Sequence, residues 1–78
     1  MKIILTLNNG NIYFLDYFPD QSILDLKKLI AITSNIPVQL QTLEFNEIIL
    51  DNQLKLSSYD ILEDHHIKLI IKSNVLFK

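Results

Sequence analysis

The chain contains no cysteine and no arginine, a single glycine and two prolines. Each shortage removes a class of function. Without cysteine there is neither a disulfide nor a thiolate metal site to hold a small fold together. Without arginine there is no forked guanidinium to grip a phosphate or a guanine edge, and the net charge of -2 shows no basic excess. Nucleic acid is therefore not expected as a partner. One glycine cannot build a phosphate-cradling loop. No apolar run approaches the ~20 residues of a membrane helix. The opening MKIILTLNNG has neither the long apolar region nor the small-residue cleavage site of an export signal. These features point to the cytosol or nucleus, with no membrane partner.

What the chain does have is aliphatic mass. Apolar residues make up 49% of its 78 positions, mostly Ile and Leu, and charged residues 21%. That is the composition of one folded domain whose stability must come from its core.

The pattern along the chain gives the elements. Residues 1–7 (MKIILTL) read as a strand, 8–11 (NNGN) as a turn with Gly10 free to take positive φ, and 12–18 (IYFLDYF) as the return strand. Alternation puts Ile3, Leu5, Tyr13, Leu15 and Tyr17 on one face. Lys2, Ile4, Thr6, Ile12, Phe14 and Asp16 fall on the other, with position 4 facing 14 and Lys2 facing Asp16. Pro19 and Asp20 end the hairpin. Ser22 reads as a helix N-cap with Asp25 three residues on, close to a capping box. Helical spacing then joins Ile23, Leu26 and Ile30, with Leu29 and Ile32 expected to widen the stripe. Asn35 is suited to a left-handed cap, and Pro37 forbids continuation. The helix is thus predicted over 23–34. Residues 41–45 (QTLEF) form a third strand. A turn at Asn46-Glu47 leads to a fourth within 46–50. A helical turn is expected near Ser57–Tyr59, inside a loop over 51–61. The last strand, 65–72, has Ile67, Leu69 and Ile71 on its inner face and belongs at the sheet centre beside strand one. The order ββαβββ with one helix predicts an α+β β-grasp, a mixed five-stranded sheet packed on one helix.

The spacing of particular residues resembles the ubiquitin family. Met1, Ile3, Gly10, Pro19, Ile23, Lys27, Ile30, Ile36-Pro37, the Q-x-L-x-F of 41–45, Leu50, the L-S-x-Y-x-I of 56–61 and Leu69 match it without a gap over residues 1–72. The resemblance implies the same β-grasp for a domain of 1–72, with 73–78 as a tail or the start of a linker. Most of these positions specify shape and not activity.

The resemblance also shows where this sequence departs. Conjugated members end in Gly-Gly just after the last strand, whereas here Val75-Leu76 stand there, followed by Phe77 and Lys78. A covalent modifier is therefore not expected, unless a native Gly-Gly end is absent from this chain. Terminal Gly-Gly sulfur carriers are excluded on the same ground. Ubiquitin is gripped through an apolar patch whose positions here are Asn8, Glu44, Lys68 and Ile70. Only Ile70 keeps its character, which argues against standard ubiquitin receptors as partners. At the lysine positions used for chain building, Thr6, Asn11, Leu29, Thr33, Ile48 and Glu63 stand, and only Lys27 remains.

The residues left over point to binding. Ile4, Ile12 and Phe14 face away from the helix, with His66 beside Ile4 on the last strand, and grouped exposed apolar side chains mark partner sites. Scattered aliphatic exposure in an Ile-rich chain is the plainer reading. Ile48, Ile49 and Ile70 form a second candidate patch, against the alternative of a packed turn. His65 and His66 are adjacent and so point to opposite faces, and with no carboxylate or cysteine cluster at suitable spacing no metal site is expected. No nucleophile–base pair or paired inward carboxylates occur, so neither an enzyme nor a cofactor is expected. The expected function is a noncovalent protein-binding module that engages protein partners through an apolar sheet face. A self-associating structural protein, as a weak homo-oligomer through the same face, is the alternative.

Overall fold

The computed structural model describes residues 2–61 and 64–72. Its elements are β1 (Lys2–Leu7), β2 (Ile12–Asp16), α1 (Ile23–Ser34), β3 (Gln41–Phe45), β4 (Ile48–Ile49) and β5 (His66–Ile71), with short 3₁₀ turns at Val38–Leu40 and Leu56–Tyr59. The five strands lie in the order β2-β1-β5-β3-β4. β1 runs parallel to β5 and antiparallel to β2, and β3 is antiparallel to both β4 and β5. The sheet is thus mixed, with β5 at its centre and α1 across one face.

Local chemistry sets the boundaries. The single glycine, Gly10, takes φ 94° at the first turn, and its N–H donates to Leu7 C=O at 3.0 Å. Ser22 caps α1, its hydroxyl accepting from Asp25 N–H at 3.1 Å. The other free donors of that helix end are met from outside, because Ile23 N–H donates to Leu54 C=O at 2.7 Å and Leu24 N–H to Asn52 C=O at 3.1 Å. Asn35 closes the helix at φ 64°, its N–H on Ala31 C=O. A two-residue loop, Asn46-Glu47, joins β3 to β4 with φ 52° and 68°. That is the primed turn whose twist suits a hairpin.

The core is aliphatic and continuous. Ile3, Leu5 and Leu15 from the hairpin meet Ile23, Leu26 and Ile30 of α1, together with Leu43, Ile67 and Leu69 from the centre of the sheet. Two buried polar groups break the pattern. Gln41 Nε2 donates to Lys27 C=O and Ile36 C=O, both at 2.9 Å, tying the sheet to the helix and to the chain just after it. Lys27 is 8% exposed, and burial together with the charge of Lys72 lowers its pKa from the usual lysine value.

Two expectations are corrected, and one element is new. Ile32 does not widen the helix stripe: it is 80% exposed. It lies about two and a half turns beyond Ile23, on the opposite side of the cylinder, and Lys27 takes the place on the buried face instead. β2 stops at Asp16, not at residue 18. Tyr17 is buried with its hydroxyl donating to Ser22 C=O at 2.5 Å, which draws the chain into the turn and leaves Phe18 exposed. The 3₁₀ turn at Val38–Leu40 has no counterpart in the sequence reading. The predicted tail, 73–78, lies outside the described residues.

Candidate functional site

The outer face of the sheet is built from alternate residues, since each strand sends its other residues into the core. Residue pairs across the sheet align these side chains in rows. One row runs Phe14–Ile4–His66, from β2 through β1 to β5. The next runs Ile12–Thr6–Lys68–Glu44–Ile49, from β2 to β4. The register also sets Lys2 opposite Asp16. The hairpin phase expected from alternation is therefore the observed one: Ile3, Leu5 and Leu15 are buried, while Ile12 is 55% and Phe14 73% exposed.

Ile4, Phe14 and His66 are neighbours, and Ile12 stands one row away from Phe14 on the same strand and face. Ile4 is half-buried between its two partners, and His66 is exposed. His65 lies on the other side of the sheet, stacked on Phe45 at 5.3 Å between ring centroids.

The second candidate set is not brought together. Ile49 stands opposite Glu44, whereas Ile48 stands opposite Phe45, a residue packed against the core. Successive strand residues face opposite sides, so Ile48 leaves the outer face. Ile70 pairs with Thr42 on the outer face, and β3 separates it from Ile49. The row that ends in Ile49 holds an ion pair, Lys68 Nζ to Glu44 Oε1 at 3.6 Å.

A shallow depression of about 380 Å³ also opens on this face, lined by Thr6, Glu44, Asn46, Glu47, His66, Ile67 and Lys68. Its rim is charged, and of the four residues in the first candidate set only His66 borders it. Among the described residues no group of three His, Asp or Glu side chains is placed to hold a metal ion. No helix there is long and apolar enough to cross a membrane.

Sequence reasoning missed the structure of the sheet edge. β2 is the last strand on its side, so the residues that expose Ile12 and Phe14 also carry the free backbone edge. That follows from topology together with hydrogen-bond phase, neither of which a single strand reveals.

The mixed sheet in this strand order, wrapped on one helix, defines a ubiquitin-like β-grasp domain. The ubiquitin family model matches residues 3–74, and the chain belongs to that family. Among solved structures it is similar to the UBL domain of Plasmodium falciparum Dsk2, with a TM-score of 0.88 and 26% identity over 92% of this chain and 97% of that one. Comparison with curated proteins gives no match.

Proposed function

We propose that this ubiquitin-like domain is a noncovalent protein-binding module, and that it binds through Ile4, Ile12 and Phe14 with His66 at their border. The observation that carries the reading is Phe14. A large aromatic ring, 73% exposed, stands in the middle of an ordered strand whose neighbouring residues supply the core. Among the described residues that ring is no part of the packed core. Aromatic side chains of this kind anchor interfaces once a partner removes them from water. The likeness to another UBL domain supports a module that acts by contact. Val75-Leu76 stand where conjugated members of the family carry Gly-Gly, and that local departure supports a noncovalent reading. No catalytic role is assigned.

The test compares capture of protein partners by the folded domain with capture by Phe14→Asp. The substitution is expected to leave the thermal midpoint within the small range of surface changes, about 0.5 kcal/mol. It should weaken partner binding at least tenfold, about 1.4 kcal/mol. Unchanged binding by a folded Phe14→Asp domain would reduce the exposed ring to a matter of composition.

A further inference from the structure

We propose that β2 is a pairing edge and that its partner is a second copy of this chain, aligned antiparallel about Tyr13 to join two sheets into one. The inference rests on the reading of the Ile4–Phe14 face as a binding surface and names what covers it.

The backbone phase comes first. Leu7 N–H donates to Asn11 C=O at 2.9 Å, so Leu7 and Asn11 form a hydrogen-bonded pair. Alternation makes Leu5 with Tyr13 and Ile3 with Leu15 the next such pairs. Ile12, Phe14 and Asp16 are then the residues whose N–H and C=O point away from β1. The other strand agrees, because Ile4 N–H donates to His65 C=O and so turns away from Phe14. Since β2 ends the sheet, no strand among the described residues pairs with those groups. The same residues carry the exposed side chains Ile12 and Phe14, so a strand added here would satisfy the backbone and cover apolar surface together.

The edge is also unguarded. Sheets protect their edges with charge, proline, bulges or short strands. β4, at the opposite edge, has two residues. β2 has five residues, no proline, an unbroken one-to-one register with β1, and one charge, Asp16, at its end.

A second copy fits this edge in one register better than in the others. Only residues with outward backbone groups can form the hydrogen-bonded pairs of the new ladder. Centring the two-fold on Phe14 sets Asp16 against Ile12 of the partner subunit. Centring it on Leu15 sets Asp16 against Phe14 of the partner subunit. Centring it on Tyr13 pairs Ile12 with Phe14 of the partner subunit twice over, and leaves each Asp16 opposite a glycine at the end of the ladder. The outer apolar row then runs unbroken from one Ile4 through Phe14 into the partner. On the inner side, the paired Tyr13 rings would lie beside the narrow crevice, too tight for water, that Leu5, Tyr13, Leu15 and Ile30 line with Thr33 and Ser34. A five-residue ladder buries less than the ~1,200 Å² of a stable interface, so the pairing is weak and depends on concentration.

Amide exchange on labelled protein at low and high concentration reads the edge directly. Ile12 and Phe14 amides should slow at least ~10-fold at high concentration, while those of Tyr13 and Leu15, already bonded to β1, stay as they were. A half-labelled mixture should give an intermolecular contact between Ile12 and Phe14. Phe14→Asp and, independently, Ile12→Lys should abolish both signals and keep the thermal midpoint. Edge amides that exchange equally fast at every concentration, with a monomer in sedimentation, overturn the pairing. If Ile4 and His66 respond to concentration while the edge amides do not, the pairing falls and the face remains a binding surface. Capture of another protein by a strictly monomeric domain has the same consequence. Should Phe14→Asp change neither association nor capture, both readings fall.

Discussion

Three residues carry unusual energetics. Glu47 occupies the second position of the Asn46-Glu47 turn at φ 68°. Left-handed backbone costs a residue with a Cβ roughly 1 kcal/mol, and glycine is the usual occupant there. Glu47 is exposed, and among the described residues its side chain makes no hydrogen bond that offsets the cost. Glu47→Gly is therefore expected to stabilise the domain by up to about 1 kcal/mol, read as a higher urea midpoint at constant slope. Tyr17 behaves differently. Burial, assisted by the nearby carboxylate of Asp25 and only partly offset by the Leu26 backbone, pushes its phenol up to about 12. Its ordinary value is 10.0, so the folded state holds this proton more tightly than the unfolded chain. The resulting stability is complete below pH ~10 and is lost as pH climbs towards ~12. Lys27 acts in the opposite sense: its folded pKa is lowered, so stability rises as pH increases from that value to the unfolded 10.5. Denaturation midpoints measured across alkaline pH should fall for the wild type above pH ~10, and fall less for Tyr17→Phe. Equal slopes for the two would mean that the Tyr17 phenol holds its proton no more tightly in the folded domain than in the unfolded chain.

At the scale of elements, most of the fold was legible in the sequence where a local rule had only one solution. Ser22, Asn35 and Pro37 bracket the helix, and their geometry is that of an N-cap, a left-handed cap and an extended stop. Alternation fixed the hairpin phase because a slip by one residue would have put Phe14 and Asp16 inside. The failures occurred where a side chain has two natures or a segment has no period. Ile32 is apolar but sits opposite the buried stripe, whereas Lys27, charged at its tip, packs its aliphatic stem on the buried face. The turn at Val38–Leu40 is too short to carry a pattern. Helix phase can be checked with two substitutions. Ile30→Ala removes a side chain that is 1% exposed and should cost about 2–5 kcal/mol. Ile32→Glu should stay within about 0.5 kcal/mol of the wild type. A large loss from Ile32→Glu would mean that this face of the helix is covered in solution.

At the scale of the whole molecule, a sheet whose interior follows its family carries an outer face that does not. The candidate patch could be read in part from sequence, because exposure follows from strand phase. Its neighbourhood could not, since the rows that bring His66 to Ile4 and set Lys68 and Glu44 between Ile12 and Ile49 depend on strand order. Those rows also decide what the domain should refuse. The positions where ubiquitin presents apolar contact here hold the Lys68–Glu44 pair, with side chains 62% and 20% exposed. In water such a pair contributes little, at most about 1 kcal/mol. A docking apolar helix would strip both charges of solvent without offering new partners, at a cost of several kcal/mol that the remaining contacts of Ile70 would have to offset. Helical motifs that bind ubiquitin are thus expected to bind this domain no tighter than the millimolar range, about -4 kcal/mol. The double substitution Glu44→Ile with Lys68→Ala removes the obstacle while leaving the buried side of the sheet untouched. It should strengthen that binding at least tenfold, about 1.4 kcal/mol, by calorimetry. A micromolar constant for the unmodified domain would show that the ion pair opens readily and that the outer face is more permissive than its charges imply. No gain in the double variant would place the obstacle elsewhere, at Asn8 or in the row that Phe14 begins.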